Sequence, residues 1–272
     1  MSGFTRAWFA LREPFDRRSR SEAQARDFAA ALRGDACVVD IGAGTGANMR
    51  YLAPLVRPSV RWRLVDGDAG LLAAASDFLP RDRPIETMQA DLTHNLVAAL
   101  EGADAITASA LMDLVSANWF EALAEIALRR RLPLLFALSV DGKLTFAPAD
   151  AADNLVLAAF ASHQRRDKGF GPALGPDAPS HMKSRLEALG AEVRVAASDW
   201  RIGRDAPTML AAMIDGLAAA AGEAAPDHAA EIAAWRKRRH DACARASLSM
   251  VVGHKDVLAL WRSHRVRRGL SC

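Results

Sequence analysis

Apolar positions along the chain alternate between two spacings. From residue 21 to 32, Ala25, Phe28, Ala29 and Leu32 recur at helical intervals, predicting a helix that Gly34 stops. Directly after it, Ala36-Cys37-Val38-Val39-Asp40-Ile41 is a short apolar run ending in glycines, the pattern of a buried parallel strand. The alternation then repeats, with strands predicted at 60–65, 85–89, 105–108, 134–138 and 192–197 and helices at 71–78, 118–130, 154–164 and 181–189, the last capped by Gly190. Ser139-Val140-Asp141-Gly142 reads as a turn, and 168–179, with three glycines and three prolines, as a structured loop. Two helices, near 208–221 and 227–244, precede a last strand within 248–260.

Strands alternating with helices imply an α/β fold with a mostly parallel sheet and right-handed crossovers. The expected organisation is an N-terminal helical segment, 1–33, followed by one domain, 34–272, with a helical insertion at about 205–245. Composition agrees: 51% hydrophobic and 25% charged residues can fill a large core, and only 6% aromatics disfavour an all-β sandwich. No window of about 18 apolar residues predicts a membrane span, and residues 1–20 lack the apolar stretch of a secretory signal. Cys37, Cys243 and Cys272 have no metal-ligand spacing and read as thiols in a reducing compartment, so the chain is expected to be cytoplasmic. His94 and His254 lack partners at ligand spacing, and no metal is expected.

The strongest chemical signal is Asp40-Ile41-Gly42-Ala43-Gly44-Thr45-Gly46. Glycines at a strand-to-helix turn let the backbone approach a ligand where any Cβ would intrude, and the helix start adds unpaired N–H donors. A glycine triplet alone also makes a tight turn with no ligand. Two acids strengthen the ligand reading: Asp66 ends the second strand, where a carboxylate can accept ribose hydroxyls, and Asp91, followed by Leu92, ends the third.

Together these residues resemble the class I S-adenosylmethionine-dependent methyltransferases, over roughly residues 36–147. The resemblance implies a Rossmann-like doubly wound sheet with an antiparallel last strand, and S-adenosylmethionine as cofactor. It implies that Gly42, Ala43, Gly44 and Gly46 face the methionine part, that Asp66 with Gly67 holds the ribose, and that Asp91 and Leu92 hold the adenine. Asp40 would organise the glycine loop and reach the cofactor amino group, and Ser109 would complete the site after the fourth strand. A nicotinamide dehydrogenase competes, but its fingerprint is G-x-G-x-x-G, whereas Gly42, Gly44 and Gly46 give G-x-G-x-G.

Methyl transfer from a sulfonium asks the protein mainly for alignment and desolvation, contributing up to roughly 7–11 kcal/mol in favourable cases. A general base is needed only for a hydroxyl or protonated amine. Candidates for such a role are Asp113, after the fourth strand, and His163. Arg12, Arg165 and Lys168 are candidates for holding a polar or anionic acceptor. Each has a blander reading: Asp113 as a helix cap, the 163–168 run as a basic helix end. Residues 8–16, with Trp8, Phe9 and Phe15, suit either a lid over the site or simple docking on the core.

All but five of the 35 basic residues are arginine, yet the formal net charge is only +3. The runs at 236–240 and 262–268 could touch phosphate, making RNA an alternative acceptor, but no aromatic platform is interleaved with them. The expected acceptor is therefore a small molecule, with nucleic acid and membrane not expected. A binding protein that holds the cofactor without turnover is the alternative from another class. The helices before the last strand are expected to form either a homodimer surface or a pocket wall.

Overall fold

A computed structural model describes residues 5–78, 80 and 83–261. The basic run at 262–268 and Cys272 lie outside the described residues. Two helices open the chain, α1 (Arg6–Ser19) and α2 (Glu22–Ala31). Each starts at a hydroxyl cap: Thr5 accepts from the Trp8 N–H and Ser21 from the Gln24 N–H. Then follow β1 (Cys37–Ile41), α3 (Ala47–Leu52), β2 (Arg61–Asp66), α4 (Ala69–Ser76), β3 (Ile85–Gln89), α5 (Leu96–Ala99), β4 (Ala105–Ser109) and α6 (Ala117–Arg130). The second half contains β5 (Leu134–Ala147), α7 (Asp153–Gln164), α8 (Ala178–Ala188), β6 (Glu192–Ala197), β7 (Trp200–Ile202), α9 (Pro207–Ala224), α10 (Ala229–Ala244) and β8 (Ser249–Leu260).

The strands form one sheet in the order β3-β2-β1-β4-β5-β8-β6, with β7 also paired to β8. Neighbours from β3 through β5 run parallel, while β8 is antiparallel to β5, β6 and β7. This is the Rossmann-like sheet with an antiparallel last strand. Because β1 lies between β2 and β4, the chain winds away in both directions from the β1/β4 pair. In such sheets the crevice beyond that switch point receives ligands.

The turn expected at 139–142 is not a turn. Strand β5 continues through it to Ala147, and its pairing with β8 shifts register between Phe136 and Ser139 and again between Val140 and Leu144. The polar, glycine-containing stretch is bulged strand rather than reversal. Leu138 sits at φ 55° there, and its N–H donates to Asp256 Oδ1 at 2.9 Å, replacing a ladder bond.

Three apolar clusters follow from this layout. One face of the sheet packs on α6 and α8 through Trp119, Phe120, Met182 and Leu186. The opposite face packs on α2, α3 and α4 through Phe28, Met49, Leu52 and Leu72. The third fills the space between the β5–β8 extension and α7, α9 and α10, around Val156, Ile214, Leu217 and Trp235. Its rim is fastened by Arg239, almost fully buried, which pairs with Asp153 and donates to the Pro148 carbonyl at 2.7 Å.

Candidate active site

Strand β1 ends one residue before Gly42, and the chain turns into α3 through three left-handed glycines: Gly42 at φ 63°, Gly44 at 54° and Gly46 at 77°. L side chains adopt such φ values at a cost of roughly 1–2 kcal/mol each. Space is also tight, since a Cβ on Gly44 would stand 2.9 Å from the Phe9 ring. Helix α1 therefore roofs the turn. It is also docked on the body of the protein, because Trp8 and Phe15 pack against Trp200 with ring centroids 6.2 and 6.3 Å apart.

The acids expected from sequence lie at adjacent strand ends but differ in environment. Asp40 is completely buried at the end of β1. Its Oδ1 accepts from Asn48 Nδ2 at 2.7 Å, its Oδ2 has no partner, and burial pushes its pKa up to about 7. Asp66 braces the loop: Oδ2 accepts the Gly44 N–H at 2.7 Å and Oδ1 the Asp68 N–H at 2.9 Å. Asp91 is exposed, and hydrogen bonds from the Thr93 hydroxyl and N–H hold its carboxyl below the ordinary value. Leu92 is buried, its carbonyl accepting from Trp119 Nε1 at 2.8 Å. Gly67 has open space around it, the nearest atom to an added Cβ being 3.9 Å away. Ser109, at the end of β4, joins Gly42 and Ala43 around a narrow cavity of about 30 Å³.

A second cavity, about 430 Å³, lies beside the first, between α1 and the third apolar cluster. Leu138, Leu157, Phe160, Met213, Leu217 and Val252 give it apolar walls. Helix α9 contributes Ala212, Met213, Gly216, Leu217 and Ala220 to the cavity lining. Arg12 borders both cavities. It is held bidentately by Asp16, at 2.9 and 3.2 Å, and lies over the Trp200 ring at 5.0 Å.

Of the acceptor-side candidates, Asp113, His163 and Lys168 line this larger cavity, whereas Arg165 points elsewhere and pairs with Asp177 at 3.0 Å. Asp113 has Oδ1 sealed from water with no hydrogen-bond partner, and desolvation raises its pKa to about 6. His163 is engaged on both ring nitrogens: Lys168 Nζ lies 3.3 Å from Nδ1 and Glu223 Oε2 3.1 Å from Nε2. That geometry lets the ring orient Lys168. Sequence analysis weighed His254 only as a metal ligand, yet it is buried in the same wall. Burial lowers its pKa to about 4, and its Nδ1 faces the Val252 carbonyl at 3.1 Å, so the ring is neutral near pH 7. No local sequence pattern announces it, because its neighbours Trp200 and Arg12 come from distant parts of the chain.

Residues 38–130 match the family model described as a methyltransferase domain. Among solved structures, YcgJ of Bacillus subtilis is 16% identical, the likeness covering 89% of this chain and 100% of that one with a TM-score of 0.52. A SAM-dependent methyltransferase of Thiobacillus denitrificans, solved with S-adenosyl-L-homocysteine, is 14% identical over 95% and 99% of the two chains with a TM-score of 0.44. Among curated proteins, none matches this sequence. The likeness to YcgJ shows the fold. The family match marks residues 38–130 as a methyltransferase domain, a domain whose cofactor is S-adenosylmethionine.

The residues present fit that cofactor. Gly42 and Ala43 border the narrow cavity, Arg20 lines it with two buried unpartnered nitrogens, and Asp40 at the end of β1 keeps a buried unpartnered oxygen. Among the described residues no group of three or more His, Cys, Asp or Glu is placed to hold a metal, and no helix is long and apolar enough to cross a membrane.

Proposed function

We propose that this methyltransferase acts on a small molecule with a largely apolar body and a polar or anionic end, bound in the 430 Å³ cavity. The observation that carries this reading is the placement of that cavity beside the glycine turn, with Asp113 as a buried carboxyl in its wall. In this account Gly42, Ala43, Gly44, Gly46 and Ser109 receive the methionine portion of the cofactor. Asp66 and Gly67 receive the ribose, and Asp91 with Leu92 the adenine. The cofactor supplies a methyl group already attached to a good leaving group. Asp113 accepts the proton of a hydroxyl or ammonium acceptor, and a pKa near 6 leaves it ionised yet basic enough at neutral pH. Lys168, steadied by His163, holds the anionic end of the acceptor at the cavity rim.

The basic run in α10 favours the small-molecule reading over RNA. Arg236 pairs with Asp215, Lys237 with Asp241, Arg238 with Asp150 and Arg239 with Asp153, so the run is matched by carboxylates of this chain.

The test uses methyl-labelled S-adenosylmethionine and a panel of apolar hydroxy and amino acids, phenols and amines. Gly216 lines the cavity, and a Cβ there would meet nothing within 4 Å, so Gly216→Phe fills the space from α9. Label transfer to a panel member, lost in the variant while S-adenosylhomocysteine affinity is retained, is expected. Transfer that ignores the blockage, or label found only on RNA, would overturn the proposal.

A further inference from the structure

The cofactor end of the site contains a cation that the glycine motif does not reveal. Arg20 lies just past α1, is only 7% exposed, and lines the narrow cavity opposite Gly42, Ala43 and Ser109. Its Nη1 donates to Asn48 Oδ1 at 2.5 Å, and its guanidinium stacks over Tyr51 at 4.3 Å. Its Nε and Nη2 are sealed from water and have no partner. Leaving charged donors unsatisfied in the interior is costly, and such groups usually mark a missing partner.

The charges nearby do not supply one. Asp16 is taken up by Arg12 and Trp200, and Asp256 accepts the N–H groups of Ser21 and Leu138. Asp40 is connected to Arg20 only through Asn48, whose Nδ2 donates to Asp40 while its Oδ1 accepts from Arg20. The outcome is a buried unpartnered carboxylate oxygen and two buried unpartnered guanidinium nitrogens, bridged by one amide. That is the complement of an α-amino acid, whose ammonium donates and whose carboxylate accepts. The cavity has room for roughly two water-sized groups, the size of a carboxylate's oxygens.

We infer that Arg20 is the receptor for the α-carboxylate of S-adenosylmethionine, bound through its Nε and Nη2. The inference rests on S-adenosylmethionine being the cofactor. Arg20 thus makes the site select an amino-acid-bearing nucleoside over a nucleoside with a plain alkyl thioether.

The experiment is calorimetric titration of the full chain with S-adenosylhomocysteine and with its decarboxylated analogue, which keeps adenosine, sulfur and amine. Wild-type protein is expected to prefer S-adenosylhomocysteine by roughly 10- to 100-fold, the usual worth of a charge-assisted hydrogen-bonded pair. Arg20→Gln should collapse the preference to within about threefold by weakening S-adenosylhomocysteine alone, and Arg20→Lys should restore part of it. Equal affinities in the wild type, or a preference that survives Arg20→Gln, would overturn the inference. Comparing the two ligands on wild-type protein keeps the test decisive even if Arg20→Gln fails to fold. If neither nucleoside binds the wild type, the cofactor site itself falls and Arg20's role falls with it.

Discussion

Replacing Asp113 by asparagine should make the protein more stable and less active. In the native state desolvation raises the Asp113 pKa from 3.8 to about 6, so ionising it in the fold is disfavoured by about two pH units, or about 3 kcal/mol. The sign follows from proton counting. Below about pH 4 the carboxyl is protonated in both folded and unfolded chains, and burial of its charge costs nothing. Between about pH 4 and 6 the unfolded chain has released the proton while the native state retains it, so stability falls as pH rises. Above about pH 6 the full cost is present. Asparagine keeps the shape but adds a buried amide of its own, so the net gain at neutral pH should be about 1–3 kcal/mol, or several degrees in Tm. The assay is urea denaturation of both proteins from about pH 4 to pH 8, with methyl transfer measured on the same preparations. Stabilities should coincide at the acid end and diverge toward neutral pH, while turnover by the variant drops roughly 100-fold or more for a hydroxyl or ammonium acceptor. A stability difference independent of pH would refute the claim that Asp113 carries a buried charge.

Three further outcomes are expected. Lys168→Met should raise the acceptor KM roughly tenfold and leave S-adenosylhomocysteine affinity intact by calorimetry, since Lys168 lines only the larger cavity. Arg239→Leu should destabilise the fold by about 3 kcal/mol in urea denaturation, because it removes the buried cationic partner of Asp153 and leaves that carboxyl only the Trp235 Nε1–H and Asp150 N–H donors. Arg131→Gly should stabilise it by about 1 kcal/mol in the same assay, since Arg131 ends α6 at φ 51°, where glycine carries no Cβ penalty.

Much of the architecture was legible in the sequence because each crossover repeats the same signal, an apolar run followed by a helical period. Strands β3 and β6 have the predicted bounds, 85–89 and 192–197. The second half of β5 was not legible. Ser139, Asp141 and Gly142 resemble a reversal, and only pairing with β8, more than a hundred residues away, makes them bulged strand. Strand β7, three residues long, has too few positions to establish a period. Helix α1 was visible only as part of an N-terminal helical segment.

The same division applies to the site. Asp40, the glycines, Asp66 and Asp91 were readable because one short stretch of backbone imposes their spacing. Arg20, Asn48 and His254 were not, because their surroundings assemble from α1, α3, β4, β7 and β8. Arg165 and Lys168 are close in sequence yet diverge, since the helix ends at Gln164 and the loop sends one side chain to Asp177 and the other to the cavity.

The central claim is that the glycine turn and the larger cavity are two halves of one active site. A crystal structure of the protein with S-adenosylhomocysteine tests it most directly. The account predicts the homocysteine carboxylate on Arg20, the ribose on Asp66, and the sulfur at the junction bordered by Arg12, facing the cavity that contains Asp113. A sulfur turned away from that cavity, or a nucleoside bound elsewhere on the sheet, would contradict it.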